Sequence, residues 1–380
     1  MRLRGIMHTR RTLIALGAAG LASSCAATRG FGNGLMRDLG RPDTRARLSP
    51  VFVSEERIIR IDVGLRPFRP SGFRVAREAL GEKTLVHNYG HGGGGITLSW
   101  GTAKVAVDLG FNAEQPDCAV LGCGAVGLAT ARLLQERGAR VRIYAKDLPP
   151  NTTSNVAGAQ WWPASVFDRD RVTPEFIAQH FEAAQFAFRR YQSLVGDAYG
   201  VSWETNYSLS HRAASSYPAA EDDPMRALVV NQHDLTPLEH NFPHPFVRRF
   251  DTMMIETPLY LRRMEADVRN AGAEIVVRDF ADIVQVQALP ERTIFNCTGL
   301  GAGRLFGDAE IMPVRGQLAI LLPQSEVDYN TIAREGYMFG RRDGIVLGGT
   351  FERGEWSLEP DPAAIQRIMD GHRSIFNAMV

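Results

Sequence analysis

Three glycines between a predicted strand and a predicted helix constrain the fold of this chain more than any other feature of its sequence. They are Gly122, Gly124 and Gly127. The apolar run Cys118–Leu121 precedes them, the helix-forming run Leu128–Arg137 follows, and a second strand at Arg140–Tyr144 completes a βαβ unit. Here the first glycine permits a tight turn, the second lets the backbone approach a pyrophosphate, and the third brings helix and strand together. The sequence therefore predicts an α/β fold with a doubly wound, Rossmann-like sheet that binds a dinucleotide at the start of this helix.

Residues next to the glycine motif are candidates for binding the rest of the nucleotide. Ala125 and Val126 open the helix, where backbone amides face phosphate groups. An acid that binds the ribose is expected about 20 residues later; Asp147 comes slightly late, and Lys146 stands in the expected place. Three hydroxyls then follow in a turn and suit either phosphate oxygens or simple capping of that turn: Thr152, Thr153 and Ser154.

A second glycine run indicates which dinucleotide binds. The run consists of Gly92, Gly93, Gly94 and Gly95, and a helix predicted from Ile96 to Leu109 follows at once, with Thr97 in its first turn. A loop without side chains lets a flat ring press against the backbone, and the positive end of the helix then faces that ring. The pyrimidine edge of a flavin gains negative charge on reduction, whereas a simple NAD enzyme has no need of such a loop. We therefore expect FAD as the cofactor.

The charge balance of the chain argues against a nucleic-acid partner. Lysine and arginine number 43 and aspartate and glutamate 42, so the formal net charge is only +1 and no basic surplus is available for phosphate backbones. The four cysteines show no metal-ligand spacing with the histidines, which indicates structural thiols.

The first residues of the chain predict export. Arg10 and Arg11 precede a short, Gly/Ala-rich apolar run that is too short to anchor the protein in a bilayer. Paired arginines before such a run are typical of twin-arginine signals, which predicts a periplasmic or exported protein that folds before it crosses the membrane. Cys25 is a candidate lipidation site and membrane tether, although Ala22 stands where a lipobox usually has leucine.

Several further segments resemble one family together with the glycine motif. They are Arg66–Pro70, His87–Gly93, Cys118–Gly127, Thr152–Trp161, Asn296–Gly299, Arg315–Gln317 and Leu347–Phe351. From about residue 57 to the end, the chain resembles the D-amino-acid oxidase family of FAD enzymes. In that family the first two of these segments follow the closing helix, whereas here they precede the nucleotide motif. The sequence is therefore similar to a circularly permuted member of the family.

The resemblance implies roles for individual residues. Arg69 matches the arginine that binds the substrate carboxylate, and Tyr337 matches the tyrosine whose hydroxyl helps to hold it. Gly93 matches a position whose carbonyl faces the substrate amine. Gln160 stands where the family often has an apolar residue, which would favour a polar substrate. The second tyrosine of the family has no clear counterpart, because Ala333 falls near its place.

The implied reaction is the oxidation of a small D-amino acid by bound FAD. A hydride leaves the α-carbon for flavin N5, the imino acid forms, and oxygen takes the electrons to give hydrogen peroxide. This reaction requires no general base, so we expect His87 and His91 to shape the glycine loop.

The sequence leaves three functions open besides this one. A D-aspartate oxidase would need a second cation near the substrate side chain, for which the candidates are Arg334, Arg341 and Arg353. Another FAD-dependent amine oxidase or dehydrogenase would keep the site but change the substrate or pass electrons to a membrane carrier. A flavin-binding envelope protein without catalysis is the third alternative.

The predicted elements also suggest how the chain divides. Residues 1–28 form the export signal and 29–50 a linker, followed by an FAD-binding domain (51–160, 270–312 and 361–380) and an α+β substrate domain (161–269 and 313–360). A permuted order further requires the C-terminus to lie within a short loop's reach of about residue 55.

Overall fold

The structure, a computed structural model, describes residues 47–213, 218 and 223–379 of the 380-residue chain. The predictions for Arg10, Arg11 and Cys25 lie outside these residues, as does most of the predicted linker. No helix in the described part of the chain is long and apolar enough to cross a membrane.

The described residues contain seven α-helices and fifteen strands. The helices are α1 (Ser99–Gly110), α2 (Ala125–Glu136), α3 (Pro174–Gln192), α4 (Thr257–Asn270), α5 (Ile283–Gln287), α6 (Gly301–Phe306) and α7 (Pro362–Phe376). The strands are β1 (Ile58–Phe68), β2 (Arg74–Leu80), β3 (Lys83–Tyr89), β4 (Asp117–Leu121), β5 (Arg140–Ala145), β6 (Val201–Ser210), β7 (Val230–Leu235), β8 (Phe246–Ile255), β9 (Glu274–Val277), β10 (Thr293–Asn296), β11 (Met312–Leu321), β12 (Tyr329–Ile332), β13 (Tyr337–Arg341), β14 (Gly344–Gly348) and β15 (Glu352–Arg353).

The smaller of two sheets has the order β2-β3-β10-β4-β5-β9 and is parallel from β3 to β9. Both of its faces are covered. Val120 and Ile143 belong to the apolar cluster that includes α1 and α2, whereas Ala119 and Leu121 join a second cluster with Leu305 of α6. Burial on both faces explains the continuous apolar run of β4. The βαβ unit β4-α2-β5 and the doubly wound fold class are confirmed.

The larger sheet has the order β1-β11-β14-β13-β12-β6-β8-β7, with β15 paired to β11. Its neighbours are antiparallel except for β12 and β6. On one face, Met338 and Leu347 pack in one cluster with Ile368 and Phe376 of α7. The opposite face carries a separate cluster around Phe339. Strand alternation therefore separates a face that α7 covers from the face that carries Phe339 and Tyr337.

The predicted domain division needs correction at three elements. Strand β1, expected in the FAD-binding part, pairs with β11 along its whole length and so belongs to the larger sheet. Helix α7, also expected there, packs on β11 and β14 of that sheet. Helix α4, expected in the substrate part, packs on α2. Alternation of apolar and polar residues identifies a strand but does not specify which sheet it joins.

The two chain segments that a permuted order would bring together lie side by side. Val51 and Val53 pack in one apolar cluster with Ile375 of α7. The Arg373 guanidinium donates to the Val53 carbonyl at 3.3 Å and pairs with the Glu55 carboxylate. Leu48 and Ser49, expected in the linker, also belong to this packing, since Leu48 packs against the same cluster and the Tyr329 hydroxyl donates to the Ser49 carbonyl at 2.7 Å.

Candidate active site

At the glycine motif, the turn after β4 and the start of α2 lie close to neighbouring backbone. Gly122 has a φ of +108°, in the region that favours glycine, and a Cβ there would lie 2.5 Å from the carbonyl oxygen of Cys297. A Cβ at Gly127 would overlap the carbonyl oxygen of Gly122. Gly124 precedes α2 and provides no side-chain cap, and Ala125 and Val126 lie in the first turn of the helix. This geometry suits an approaching pyrophosphate.

The predicted hydroxyls divide into different roles. Ser154 Oγ accepts a hydrogen bond from the Ala125 amide at 3.1 Å, which places it at the anion-binding end of α2. The Thr152 hydroxyl donates to Asn155 Oδ1 at 2.8 Å and stabilises its own turn, and Thr153 is exposed in that turn. Asp147 is exposed just after β5 and lies 3.5 Å from the Lys146 ammonium.

The second glycine run forms a tight loop that exposes backbone. The Gly93 amide donates to the Ser165 carbonyl at 3.0 Å, and Gly93 is exposed between the buried Gly92 and Gly94. A Cβ at Gly93 would lie 2.5 Å from the Ala164 carbonyl oxygen, so no other residue fits without rearrangement. The turn continues through Gly95, Ile96 and Thr97, and α1 begins at residue 99 rather than at 96 as expected.

The buried histidine of this loop and the described cysteines of the chain have structural roles. Burial lowers the pKa of His91 to about 3, and its Nε2 lies 2.9 Å from the Thr102 hydroxyl, so the ring is neutral and fixes the loop. Burial raises the pKa of the Cys118, Cys123 and Cys297 thiols to about 12, and these described cysteines form no disulfide.

Alternate residues of β1 face the nucleotide-binding segments. A Cβ at Gly64 would overlap the Val156 side chain, and a Cβ at Gly92 would lie 2.9 Å from the Phe68 ring. Because side chains two residues apart share a face, Arg66 points the same way as its neighbours at 64 and 68. Gly158, in the segment after the hydroxyl turn, lies against the Tyr337 ring. Strand β1, the glycine loop and β13 thus meet around one space.

Arg66 and Tyr337 face each other in this space. Burial raises the pKa of the Tyr337 hydroxyl, whereas the charge of Arg66 and a hydrogen bond from it act in the opposite direction. The Arg66 guanidinium also donates to the Thr350 carbonyl at 3.1 Å. The Tyr337 ring stacks on Phe339 at 4.7 Å between centroids. His372 Nε2 lies 3.0 Å from the Tyr337 carbonyl oxygen, which fixes the start of β13 against α7.

Glycines provide the room that these two side chains occupy. A Cβ at Gly316 would lie 2.5 Å from both terminal nitrogens of Arg66. A Cβ at Gly348 would overlap the Tyr337 ring, and one at Gly349 would lie 2.9 Å from its hydroxyl oxygen. The space beside the guanidinium and the phenol is therefore set by the absence of side chains on β11 and at the end of β14.

Arg69, expected as the carboxylate ligand, is instead enclosed by protein groups. Its Nε donates to Asp308 at 2.8 Å, one Nη donates to Glu310 at 2.7 Å, and the other donates to Ser71 and Gly72 at 3.0 and 2.8 Å. Four of the five N–H groups of a guanidinium are thereby satisfied. The assignment of Arg69 is corrected on this ground: its partners are two carboxylates of its own chain.

Gln160 is buried beside β8. Its backbone forms a bridge with Met254, and its amide nitrogen donates to the Asn206 side chain. The side chain therefore takes part in packing this segment against the larger sheet, and a contact with a polar substrate stays a prediction.

Comparison with known proteins identifies the family. The family profile described as FAD dependent oxidoreductase, DAO, matches residues 11–109 and 117–380. The chain belongs to this family. It is 31% identical over 256 residues to a D-amino-acid oxidase from Rubrobacter xylanophilus, covering 66% of this chain and 74% of the relative. It is 29% identical over 256 residues to a D-aspartate oxidase from Homo sapiens, covering 66% and 73%.

Solved structures share the fold of this FAD-dependent oxidoreductase. A glycine oxidase from Bacillus cereus matches with a TM-score of 0.53 at 15% identity, covering 69% of this chain and 78% of the other. An L-α-glycerophosphate oxidase from Mycoplasma pneumoniae, solved with FAD bound, matches with a TM-score of 0.51 at 13% identity, covering 70% and 79%. These similarities confirm the fold class.

The residues of the site fit FAD. The glycine motif brings backbone without side chains to the start of α2, where Gly124 supplies no side-chain cap and the Ser154 hydroxyl binds the Ala125 amide, an arrangement that suits a pyrophosphate. The residues that would hold this part are Gly122, Gly124, Ala125, Val126, Gly127 and Ser154. The exposed backbone of Gly93 would lie against the flavin ring, and its neighbour Gly92 lies against Phe68, which shares a face of β1 with Arg66.

Sequence reasoning missed Arg66 and the glycines around it. The motif Arg66-Pro67-Phe68-Arg69-Pro70 contains two arginines three residues apart, and the role of carboxylate ligand was assigned to the second. The alternation of side chains along a strand could have distinguished the two arginines. Because β1 ends at residue 68, only Arg66 lies within the strand, on the face that it shares with Gly64. The roles of Gly316 and Gly348 required knowledge of which strands are neighbours.

Proposed function

We propose that this chain oxidises D-amino acids and that Arg66 and Tyr337 bind the substrate carboxylate. The observation that carries the proposal is the pairing of a guanidinium and a phenol among glycines that leave room for both, on the face of β1 that also contacts the glycine loop through Phe68. The fork of an arginine matches a planar carboxylate bidentately, and the phenol adds a third donor. The identity of about 30% to D-amino-acid oxidases over two thirds of the chain supports this assignment.

The protein contributes orientation rather than proton transfer. With its carboxylate on Arg66 and its amine on the Gly93 carbonyl, a D-amino acid has two of its four α-substituents fixed, so the α-hydrogen points in one direction. Bound FAD supplies the two-electron oxidation. The substrate loses two electrons and two hydrogens to become an imino acid, which water converts to a keto acid and ammonia. Oxygen takes up the two electrons and two protons and leaves as hydrogen peroxide.

Neutral D-amino acids are the substrates that the charges favour. Two of the cations that could hold an acidic side chain are already neutralised: Arg341 by Asp343 at 2.6 and 2.7 Å, and Arg353 by Asp168 at 2.5 and 2.8 Å. Arg334 is exposed in a different cavity. D-Aspartate oxidation is the second candidate, because a D-aspartate oxidase is among the relatives.

A peroxide assay on purified protein tests the proposal. Substrates are a panel of neutral, acidic and basic D-amino acids with their L-enantiomers, glycine and amines without a carboxylate. We expect peroxide with neutral D-amino acids, less with D-aspartate, and none with L-enantiomers or simple amines. Dye reduction without peroxide would indicate a dehydrogenase that uses another acceptor. Flavin-loaded protein that reacts with no member of the panel would support the non-catalytic alternative.

A further inference from the structure

A cluster of metal-ligating side chains lies at one edge of the larger sheet. Its members are His211, His244 and Glu335, and one ligand atom of each lies within 4.8 Å of the other two. They line a surface cavity of about 410 Å³ together with Leu209, Ser210, Arg212 and Arg334.

Strand register explains why these three residues meet. In the order β12-β6-β8, Ile332 is paired with Ser208 and Ser210 with Phe246. Continuing the parallel register of β12 and β6 by three residues places Glu335 beside His211. Continuing the antiparallel register of β6 and β8 by two residues places His244 on the other side of the β6 end. The three ligands thus come from three neighbouring strand ends. Pro243 and Pro245 restrict the backbone on either side of His244.

The geometry fits ligands of one ion better than hydrogen bonds. His244 Nε2 lies 3.7 Å from one Glu335 oxygen, and His211 Nε2 lies 3.9 Å from the other. Both distances exceed the hydrogen-bond range. Zinc ligands lie about 2.0 Å from the metal, which puts neighbouring ligand atoms of a tetrahedral site about 3.3 Å apart. Because the three ligand atoms lie within 4.8 Å of one another, a contraction of at most about 1.5 Å between the most distant pair would complete such a site.

Buried polar atoms at the cluster lack partners. His244 is 4% exposed, and neither of its ring nitrogens has a hydrogen-bond partner among the residues that the structure describes. One carboxylate oxygen of Glu335 is likewise buried without such a partner. Buried polar groups without a partner are costly, and here they lie among side chains whose ligand atoms come within 4.8 Å of one another, which suits a bound species. Two imidazoles and one carboxylate are the donor set of many zinc sites.

We propose that His211, His244 and Glu335 bind a divalent transition-metal ion, with Zn²⁺ as the best match. The ion joins the ends of β6 and β8 to the turn between β12 and β13. It lies away from the substrate space, because Leu209 and Val247 at these strand ends pack in the cluster that contains α7. Since Tyr337 opens β13 two residues after Glu335, the ion stabilises the turn that leads to Tyr337.

An anion is the competing occupant of this cavity. Arg212 and Arg334 line it and would attract phosphate, but the Glu335 carboxylate faces both imidazoles and opposes an anion there. The metal proposal is independent of the substrate proposed above, so its test uses binding and not activity.

The test uses full-length protein without a polyhistidine tag, stripped with a chelator and loaded with FAD. Calorimetric titration with Zn²⁺ should give one equivalent per chain, and Co²⁺ should give the visible absorption of a tetrahedral site. Glu335→Gln and His211→Ala should lower affinity by more than the roughly 10- to 100-fold that loss of an outer-shell partner costs. His211 is exposed, so its replacement leaves the core intact. His233→Ala, on β7 and outside the cluster, is the matched control and should bind as the wild type does.

Two further measurements separate this site from adventitious binding. Zn²⁺ should raise the melting temperature of the wild type and of His233→Ala but not of Glu335→Gln. Amide exchange of residues 333–337 should slow on Zn²⁺ addition. The proposal fails if the wild type binds no stoichiometric ion, or if Glu335→Gln and His211→Ala bind as tightly as the wild type. Stabilisation of stripped protein by inorganic phosphate, with no response to Zn²⁺, would assign the cavity to an anion instead.

Discussion

Two arginines three residues apart have opposite surroundings. Arg66 makes a hydrogen bond to one carbonyl and faces a phenol, whereas Arg69 is bound to Asp308 and Glu310. The difference follows from their positions, one within β1 and the other just after its end. An arginine that binds a ligand needs N–H groups without protein partners, whereas a structural arginine donates its N–H groups to other protein groups.

Replacing Arg66 by alanine should therefore raise KM and leave FAD bound. Loss of a charge-assisted bidentate contact costs about 1.5–3 kcal/mol, which corresponds to roughly 10- to 150-fold in KM. Arg66→Lys should recover little of the lost affinity, because an ammonium group does not reproduce the planar pair of N–H donors of a guanidinium. Steady-state peroxide kinetics on a neutral D-amino acid give the values.

Arg69→Ala is the matched comparison. It leaves Asp308 without its ion-pair partner and should cost about 3–5 kcal/mol in stability, with KM of the folded fraction unchanged. The reverse pattern, a KM defect in Arg69→Ala and none in Arg66→Ala, would restore the original assignment.

Asp308 should make stability depend on pH. Burial acts to raise its pKa, but hydrogen bonds from Tyr89 and the Glu310 amide and the charge of Arg69 outweigh burial, so the pKa lies below its ordinary value. A depressed pKa stabilises the fold above the unfolded value of about 3.9, and this contribution is lost as pH falls through the folded pKa. Asp308→Asn should thus be less stable than wild type at pH 7, with a smaller difference at pH 3. Urea unfolding at both pH values measures this, and an unchanged difference would contradict it.

At the scale of elements, helix α2 is held at a distance from β4 that only glycine permits. Gly127 lies against the Gly122 carbonyl, whereas Gly138, just after the other end of the helix, has open space around its Cβ position. A crowded glycine thus lies in the first turn of this helix, and a glycine with open space around it lies just beyond the other end.

Gly127→Ala should displace α2 and lose most FAD binding. Gly138→Ala meets no atom, but its φ of +85° should cost about 1 kcal/mol with FAD retained. The ratio of visible to ultraviolet absorbance after gel filtration reports the flavin content of both variants. Equal flavin content would mean that the close approach is not required for the cofactor.

The course of the whole chain supports the permuted order, which remains a proposal. Helix α1 leads to β4 through residues 111–116, and the two stretches matched to the family are separated at 110–116. At the other junction, α7 packs against Val51 and Val53.

A rearranged chain should therefore fold. It would begin at Asp117, run to Val380, and continue through a short glycine-rich linker into residues 48–112, which retains the packing of residues 48–53. We expect FAD binding and a melting temperature within a few degrees of the original. A rearranged chain that stays unfolded, next to a folded control of the native order with the same leader removed, would contradict this.

The export prediction also concerns the molecule as a whole. Replacing Arg10 and Arg11 by lysine should retain folded, flavin-bound protein in the cytoplasm, because the twin-arginine route requires the arginine pair. Cell fractionation followed by flavin fluorescence checks the location. Continued export of the double variant would indicate another route.

The sequence by itself determined the local features: the βαβ unit, the glycine motif at its turn, the second glycine loop, and the strands and helices with strong periodicity. These follow from neighbouring residues, because turns, helix starts and alternation are short-range properties. Tertiary structure alone decided that β1 and α7 join the larger sheet, that Arg66 faces Tyr337 while Arg69 faces Asp308, and that His211, His244 and Glu335 meet. Each of these depends on which distant segments become neighbours, and pairing across tens to hundreds of residues leaves no mark in the local pattern of either segment.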